Sequence, residues 1–323
     1  MDKPKVILTR RWPEVVEREL CQRFDVELNA EDRALSVAQL RDAVRRADAL
    51  CPTVTDVISA DVLQVDDLRT RLLGNFGVGF NHIDIATAQS LGITVTNTPD
   101  ALTDCTADLA MTLLLMVARR AGEGERHVRA GAWQGWRPTH MLGSKVTGKT
   151  LGLVGFGRIA RAVAHKAHFG FGMRILFYTR TPPPSEIAHA LGATACENLD
   201  ELLARSDFVS LHCPGGDATR HLINAERLSA MREHAYLINT ARGDVVDSQA
   251  LGEALGAGRI AGAGLDVYAG EPQVPEVLRT LDNVVLLPHL GSATHETRIA
   301  MGRRVIENLD AFFAGRAPRD RVV

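Results

Sequence analysis

The stretch Lys149–Gly170, KTLGLVGFGRIARAVAHKAHFG, decides the fold. An apolar run over residues 150–154 passes through Gly155, Gly157 and Ala160 directly into a helical pattern, which is GxGxxA spacing in strand–turn–helix context. Gly155 permits the tight turn, Gly157 lets the backbone approach a pyrophosphate, and Ala160 keeps the helix close to the strand. The helix N-terminus offers N–H groups without intrahelical acceptors. Glycines that merely tighten a turn are the bland alternative, but the flanking strand and helix favour a dinucleotide site.

The next strand, in RILFYTRTPPP (residues 174–184), should end where an NAD enzyme carries Asp or Glu for the adenosine ribose. No carboxylate stands there. Thr179 occupies the position and Arg180 follows, so nothing repels a 2′-phosphate and a guanidinium is at hand to pair with it. NADP is therefore expected over NAD, with a merely solvated Arg180, and NAD, as the alternative.

Outward from this unit, short β-prone runs alternate with helical patterns: VILT at Val6, DVELN at Asp25, ADALC at Ala47 and ITVTN at Ile93 before it, FVSLHCP, AYLINT, AGAGLDVY and NVVLLP after it. Such alternation means parallel sheets covered by helices. A chain of 323 residues exceeds the roughly 250–300 at which one core stops growing, so two α/β domains are expected. Their expected bounds are 1–98 with 290–323, and 99–289. After Pro99 a helix capped by Thr103, with Asp104 in its first turn, should run to about Arg119 and Arg120. The glycine-rich stretch from 122 to 149, with Trp133 and Trp136, reads as a long irregular excursion. The last helix carries Ile299, Val305, Ile306, Leu309, Phe312 and Phe313 at helical spacing, stops near Gly315, and is expected to return to the first domain.

Composition narrows the function. With 46% hydrophobic and 24% charged residues and a net charge of −2, the chain reads as an ordinary globular protein without a nucleic-acid or anionic-membrane surface. Cys21, Cys51, Cys105, Cys196 and Cys213 are scattered and odd in number, without metal-ligand spacing, which suits a reducing, cytoplasmic compartment and no metal. MDKPKVILTR lacks the apolar core of a signal peptide. The most apolar run, Leu109 to Ala118, is about half of the roughly 20 residues a bilayer requires and reads as a buried helix.

Three further segments each run from a strand into a polar loop: LINTARGDVVD, GLDVYAGEP and VVLLPHLGSAT. They present Arg242, Glu271 and His289 at strand C-terminal ends, where open α/β sheets bind ligands. These are the cation, carboxylate and imidazole that reduction of a 2-oxo acid requires.

Together with NFGVGFNHIDI (75–85) and TADLAMTLLLMVAR (106–119), these stretches resemble the D-2-hydroxyacid dehydrogenase family over essentially the whole chain. Within it the sequence is most similar to the glyoxylate and hydroxypyruvate reductases, including the YTRT loop of NADPH users. The resemblance implies two Rossmann-like or flavodoxin-like domains with the active site in the cleft between them. It implies His289 as proton donor, Glu271 as the carboxylate that orients the imidazole and raises its pKa, and Arg242 as the group that binds the substrate carboxylate and polarises the carbonyl. It assigns the backbone amides of Val78 and Gly79 to the substrate carboxylate. Beside Gly155, Gly157, Thr179 and Arg180 read above, and His289, it places Thr106, Arg158, Ile159, Cys213, Thr240, Asp266 and Gly291 around the cofactor, with Asp266 near the nicotinamide carboxamide. It also implies a homodimer in which the excursion wraps a second subunit and Trp136 reaches toward the partner's active site. Asp108 in place of Glu, Ala160 in place of the third glycine, and Asn81–His82 in place of Asp–Asn depart from the family pattern, the last at the substrate loop. A phosphoglycerate dehydrogenase would share the trio but often carries a regulatory domain, for which the chain leaves no room. Formate and phosphite dehydrogenases are further relatives, and a dinucleotide-sensing corepressor is the alternative of a different class.

Overall fold

The computed structural model describes residues 3–323. They divide into two compact units, residues up to 102 together with 292–323, and residues 103–291.

In the first unit the strands β1 (Lys5–Leu8), β2 (Asp25–Glu27), β3 (Ala49–Cys51), β4 (Leu72–Gly74) and β5 (Thr94–Thr96) form one parallel sheet in the order β2-β1-β3-β4-β5. This is the flavodoxin-like order. Val6, Ile7 and Leu8 are all buried, because helices cover both faces. On one face Val6, Leu8, Cys51 and Leu72 pack with Val16 and Leu20 of the helix Glu14–Arg23 and with Met301, Val305 and Leu309 of the helix His295–Phe313. On the other, Ile7, Leu50, Leu73 and Val95 meet Leu40 and Val44 of the helix Val37–Arg46. The C-terminal helix does return to this unit, capped by the Thr294 hydroxyl, which accepts from the Thr297 amide. The tail after it pairs with β5 through Val322 N–H to Val95 O at 2.7 Å.

The second unit holds β6 (Thr150–Val154), β7 (Arg174–Tyr178), β8 (Ala193–Ala195), β9 (Phe208–Leu211), β10 (Tyr236–Asn239), β11 (Gly262–Leu265) and β12 (Val284–Leu286), parallel throughout in the order β12-β11-β10-β9-β6-β7-β8. This is a Rossmann order extended by one strand, and its switch point lies between β6 and β9. All five residues of β6 are buried. The helix Thr103–Ala118 covers one face with Ala107, Met111, Leu114 and Val117, and the helix Leu199–Arg205 covers the other with Leu199, Leu202 and Leu203.

Several boundaries differ from those expected. The units divide at 102/103 and 291/292 rather than at 98/99 and 289/290, because Ala101 and Leu102 pack on the first core and the Gly291 carbonyl accepts the Thr106 hydroxyl at 2.8 Å. Thr103 is the first residue of its helix, which ends at Ala118, before Arg119; Arg120 adopts φ 52° and breaks the run. The excursion is not wholly irregular: Ala121–Arg129 is a helix, started by the Arg120–Glu123 ion pair at 2.7 Å. None of its residues is buried, and Ala121 and Val128 are its only apolar side chains, too few to form a stripe. The helix after the glycine turn runs Arg158–His165 and closes in a wide π turn, Lys166–Gly170. The three-residue strands β4 and β8 are too short to show a period of two. No helix of the described residues is long and apolar enough to cross a membrane.

Candidate active site

The expected trio lies on three loops at the C-terminal ends of β10, β11 and β12. His289 Nδ1 and Glu271 Oε2 are 2.7 Å apart, and Glu271 Oε1 accepts the Tyr268 amide at 2.9 Å. Burial pushes the Glu271 carboxyl up, but the hydrogen bond and charge of His289, the Tyr268 amide and the Arg242 charge together hold it below the usual carboxylate range. An ionised Glu271 accepts only, so Nδ1 carries the proton of that bond. Nε2 is then the nitrogen left to exchange a proton with a ligand. A third of each side chain's surface is exposed, so the pair is reachable.

Burial lowers the pKa of Arg242, against the charges of Glu271 and Asp244. A guanidinium stays charged nonetheless. Among the described residues its side chain makes one hydrogen bond, Nη1 to Ala241 O at 2.7 Å, and no ion pair. A half-buried cation with donors to spare is suited to an incoming carboxylate.

Two residues brace these loops. Asn239 Nδ2 donates to Arg242 O at 2.9 Å, and its Oδ1 accepts the Ala241 amide at 3.0 Å. Asp266 accepts the Leu290 amide at 2.6 Å and the Gly291 amide at 2.8 Å, and its carbonyl accepts the His289 amide at 2.9 Å. His289 itself sits at φ 57°, a left-handed conformation that histidine tolerates better than most residues. Asp266, expected beside the nicotinamide, thus also folds the loop that carries the imidazole. Burial pushes its carboxyl above the usual range, although both amides and the His289 charge favour its ionised form.

The glycine turn fits a dinucleotide. Gly155 has φ 89°, and a Cβ there would lie 2.9 Å from the His212 carbonyl carbon, so only glycine suits the position. A Cβ on Gly157 would meet no atom within 4 Å: the space over the turn is open, at the N-terminus of the helix Arg158–His165. Ala160 is fully buried against the sheet. Thr240 Oγ1 is buried without a hydrogen-bond partner among the described residues, an unmet group that a ligand could complete. Thr106, by contrast, spends its hydroxyl on Gly291 O. Burial pushes the Cys213 thiol up to about 11, so it stays neutral near pH 7. Thr179 directly follows β7, with its hydroxyl on Thr181 O at 3.3 Å, and Arg180 is exposed and makes no ion pair among the described residues.

The remaining expected residues lie elsewhere in the chain. Val78 and Gly79 belong to the first unit, in the loop after β4. Trp136 is 83% exposed on the segment after the helix Ala121–Arg129. Asn239 and the Tyr268 amide escaped sequence reading; the available signal was an asparagine at the last position of a strand in a sheet whose strand ends carry the chemistry.

Residues 111–291 match the model of the D-isomer specific 2-hydroxyacid dehydrogenase NAD-binding domain. The chain belongs to the D-2-hydroxyacid dehydrogenase family. It is an NAD(P)-dependent oxidoreductase of that family, with a nicotinamide dinucleotide as cofactor. The glyoxylate reductase of Thermococcus onnurineus is 47% identical, with 98% of this chain and 95% of that protein covered. The glyoxylate reductase of Korarchaeum cryptofilum is 45% identical, over 99% and 96%. Among solved structures, the NADPH-dependent glyoxylate/hydroxypyruvate reductase of Sinorhizobium meliloti, in complex with NADP and malonate, matches with a TM-score of 0.88 at 34% identity, over 100% of this chain and 97% of that one.

Proposed function

We propose that this D-2-hydroxyacid dehydrogenase reduces small 2-oxo acids, glyoxylate and hydroxypyruvate, with NADPH preferred over NADH. The observation that carries the reading is the 2.7 Å His289–Glu271 pair, with Arg242 on the neighbouring loop keeping free donors. In this reading Arg242 binds the carboxylate and polarises the carbonyl, joined by the amides of Val78 and Gly79. His289 Nε2 delivers a proton to the carbonyl oxygen, and Glu271 stabilises the imidazolium before transfer. When bound, the nicotinamide supplies the hydride that reduces the carbonyl carbon. Gly155, Gly157, Arg158, Ile159 and Thr240 hold the dinucleotide, with Asp266, Cys213 and Thr106 beside it. The family names of the Thermococcus and Korarchaeum relatives support the substrate class.

The cofactor preference rests on Thr179 and Arg180, since no carboxylate ends β7 to repel a 2′-phosphate. The exposed Trp133, Trp136 and Leu142 support a homodimer in which the segment after residue 121 is covered by a second copy. Five free cysteines support a cytoplasmic setting. The test is oxidation of NADPH and of NADH with glyoxylate, hydroxypyruvate and pyruvate, for the wild type, Arg180→Ala and His289→Ala. Turnover that favours NADPH, loses that preference in Arg180→Ala and collapses in His289→Ala is expected. Preference for NADH refutes the cofactor assignment, and absence of turnover with every 2-oxo acid refutes the substrate class.

A further inference from the structure

In the loop after β4, the carbonyls of Gly77, Val78 and Gly79 are each held by a hydrogen bond. Gly77 O accepts the Thr98 amide and Asn75 Nδ2, both at 3.0 Å; Gly79 O accepts the same Asn75 Nδ2 at 3.0 Å; and Val78 O accepts Asn97 Nδ2 at 2.8 Å. The N–H groups of Val78 and Gly79 meet no protein acceptor among the described residues. Planar trans peptides make this a matter of aim. The Gly77 carbonyl and the Val78 N–H belong to one peptide and point in opposite directions, as do the Val78 carbonyl and the Gly79 N–H. Pinning the two carbonyls toward Asn75, Asn97 and Thr98 therefore turns each amide away from those partners.

Asn75 is fully buried, and both of its Nδ2 hydrogens are committed to the loop. Its Oδ1 consequently faces the ring of His82 at 3.0 Å, which requires the proton on His82 Nε2. His82 thereby locks the orientation of Asn75. Asn97 is anchored in turn: its carbonyl accepts Asn308 Nδ2 at 3.5 Å and its amide donates to Asp320 O at 3.2 Å.

We propose that Asn75 and Asn97, with His82 behind Asn75, are positioning residues that aim the Val78 and Gly79 amides at the carboxylate of the 2-oxo acid. They set affinity for that carboxylate and not the rate of hydride transfer. The proposal rests on the reading of Val78 and Gly79 as substrate amides given above. An oriented amide hydrogen bond to an anion is worth enough that losing the aim of one should weaken binding roughly 10- to 100-fold.

The experiment uses the full-length chain, its Asn75→Asp, Asn97→Ala and His82→Ala variants, and oxamate as a carboxylate probe that is not reduced. Thermal melts establish which variants fold, and Asn97→Ala and His82→Ala carry the test if Asn75→Asp does not. Expected are a rise of about 10- to 100-fold in the glyoxylate KM and the oxamate Kd for the asparagine variants and of about 3- to 10-fold for His82→Ala. kcat should stay within about 3-fold and the NADPH Kd should not change. A folded variant with unchanged KM and Kd, or with reduced kcat at unchanged KM, overturns the proposal. If the wild type binds oxamate but reduces no 2-oxo acid, the functional reading fails while the oxamate affinities of the variants still decide this one. Wild type that neither binds oxamate nor turns over overturns both.

Discussion

The Asp266 carbonyl accepts the backbone amide of His289 at 2.9 Å, while the Asp266 carboxylate takes the two amides that follow, those of Leu290 and Gly291. One buried aspartate thus folds the left-handed turn that presents the imidazole. In Asp266→Asn, an Nδ2 must face an amide donor, so one of these bonds is lost and a buried N–H is left unmet, at about 1–3 kcal/mol. A kcat lower by roughly 10- to 100-fold and a reduced melting temperature are expected together. Unchanged kcat in a folded variant would show that the turn holds without the carboxylate.

Glu271→Gln keeps the shape of the His289 partner and removes its charge. With His289 as the proposed proton donor, its imidazolium then loses the stabilising carboxylate, and kcat should fall by roughly 10²- to 10⁴-fold. Because the Glu271 pKa is depressed in the folded protein, its ionised form contributes stability that is complete above the unfolded value of about 4.3 and is lost as pH falls through the lower folded value. Melting curves between pH 3 and pH 6 should show this acid limb reduced in Glu271→Gln.

Gly155→Ala and Gly157→Ala separate folding from cofactor binding. At Gly155 the new Cβ is strained by φ 89° and crowded by His212, so the melting temperature should fall. At Gly157 a Cβ meets no protein atom within 4 Å, so stability should stay within about 0.5 kcal/mol while it blocks the pyrophosphate. Fluorescence titration with NADPH should show binding weakened by 10-fold or more, on the order of a lost backbone contact to phosphate. Equal loss of stability in both variants would mean that the turn's glycines serve the fold alone.

Burial of the ring pushes the pKa of His212 down to about 4, and its Nε2 lies 2.9 Å from Ser210 Oγ. In the unfolded chain a histidine takes up its proton near ~6.5, so the unfolded state binds more protons in the interval between. The stability due to neutral His212 is complete above about pH 6.5 and declines as pH falls toward 4, by on the order of 3 kcal/mol at most. Urea denaturation of the wild type and His212→Gln across pH 4–7.5 should show a shallower decline in the variant.

The glycine turn, the alternation of strands and helices, and Arg242, Glu271 and His289 at strand ends were all legible from the sequence. Each depends on residues close together in the chain, or on a residue type that the chemistry demands. The helix Ala121–Arg129 was not legible, because Ala121 and Val128 are its only apolar side chains and two glycines interrupt it. Nor were the positions of the unit boundaries, which depend on Ala101 and Leu102 packing on a distant helix and strand.

The amino-acid sequence by itself determined that this chain builds a dinucleotide turn and carries the side chains of a 2-hydroxyacid dehydrogenase, since a turn of six residues and a strand period are local properties of the backbone. Only the tertiary structure decided what those side chains are tied to. That Glu271 meets His289, that Asp266 spends its carboxylate on Leu290 and Gly291, and that Asn97 holds the carbonyl of Val78 all follow from strand order. Parallel strands separated by whole crossovers bring their C-terminal loops together, and no spacing along the chain encodes which amide will find which oxygen.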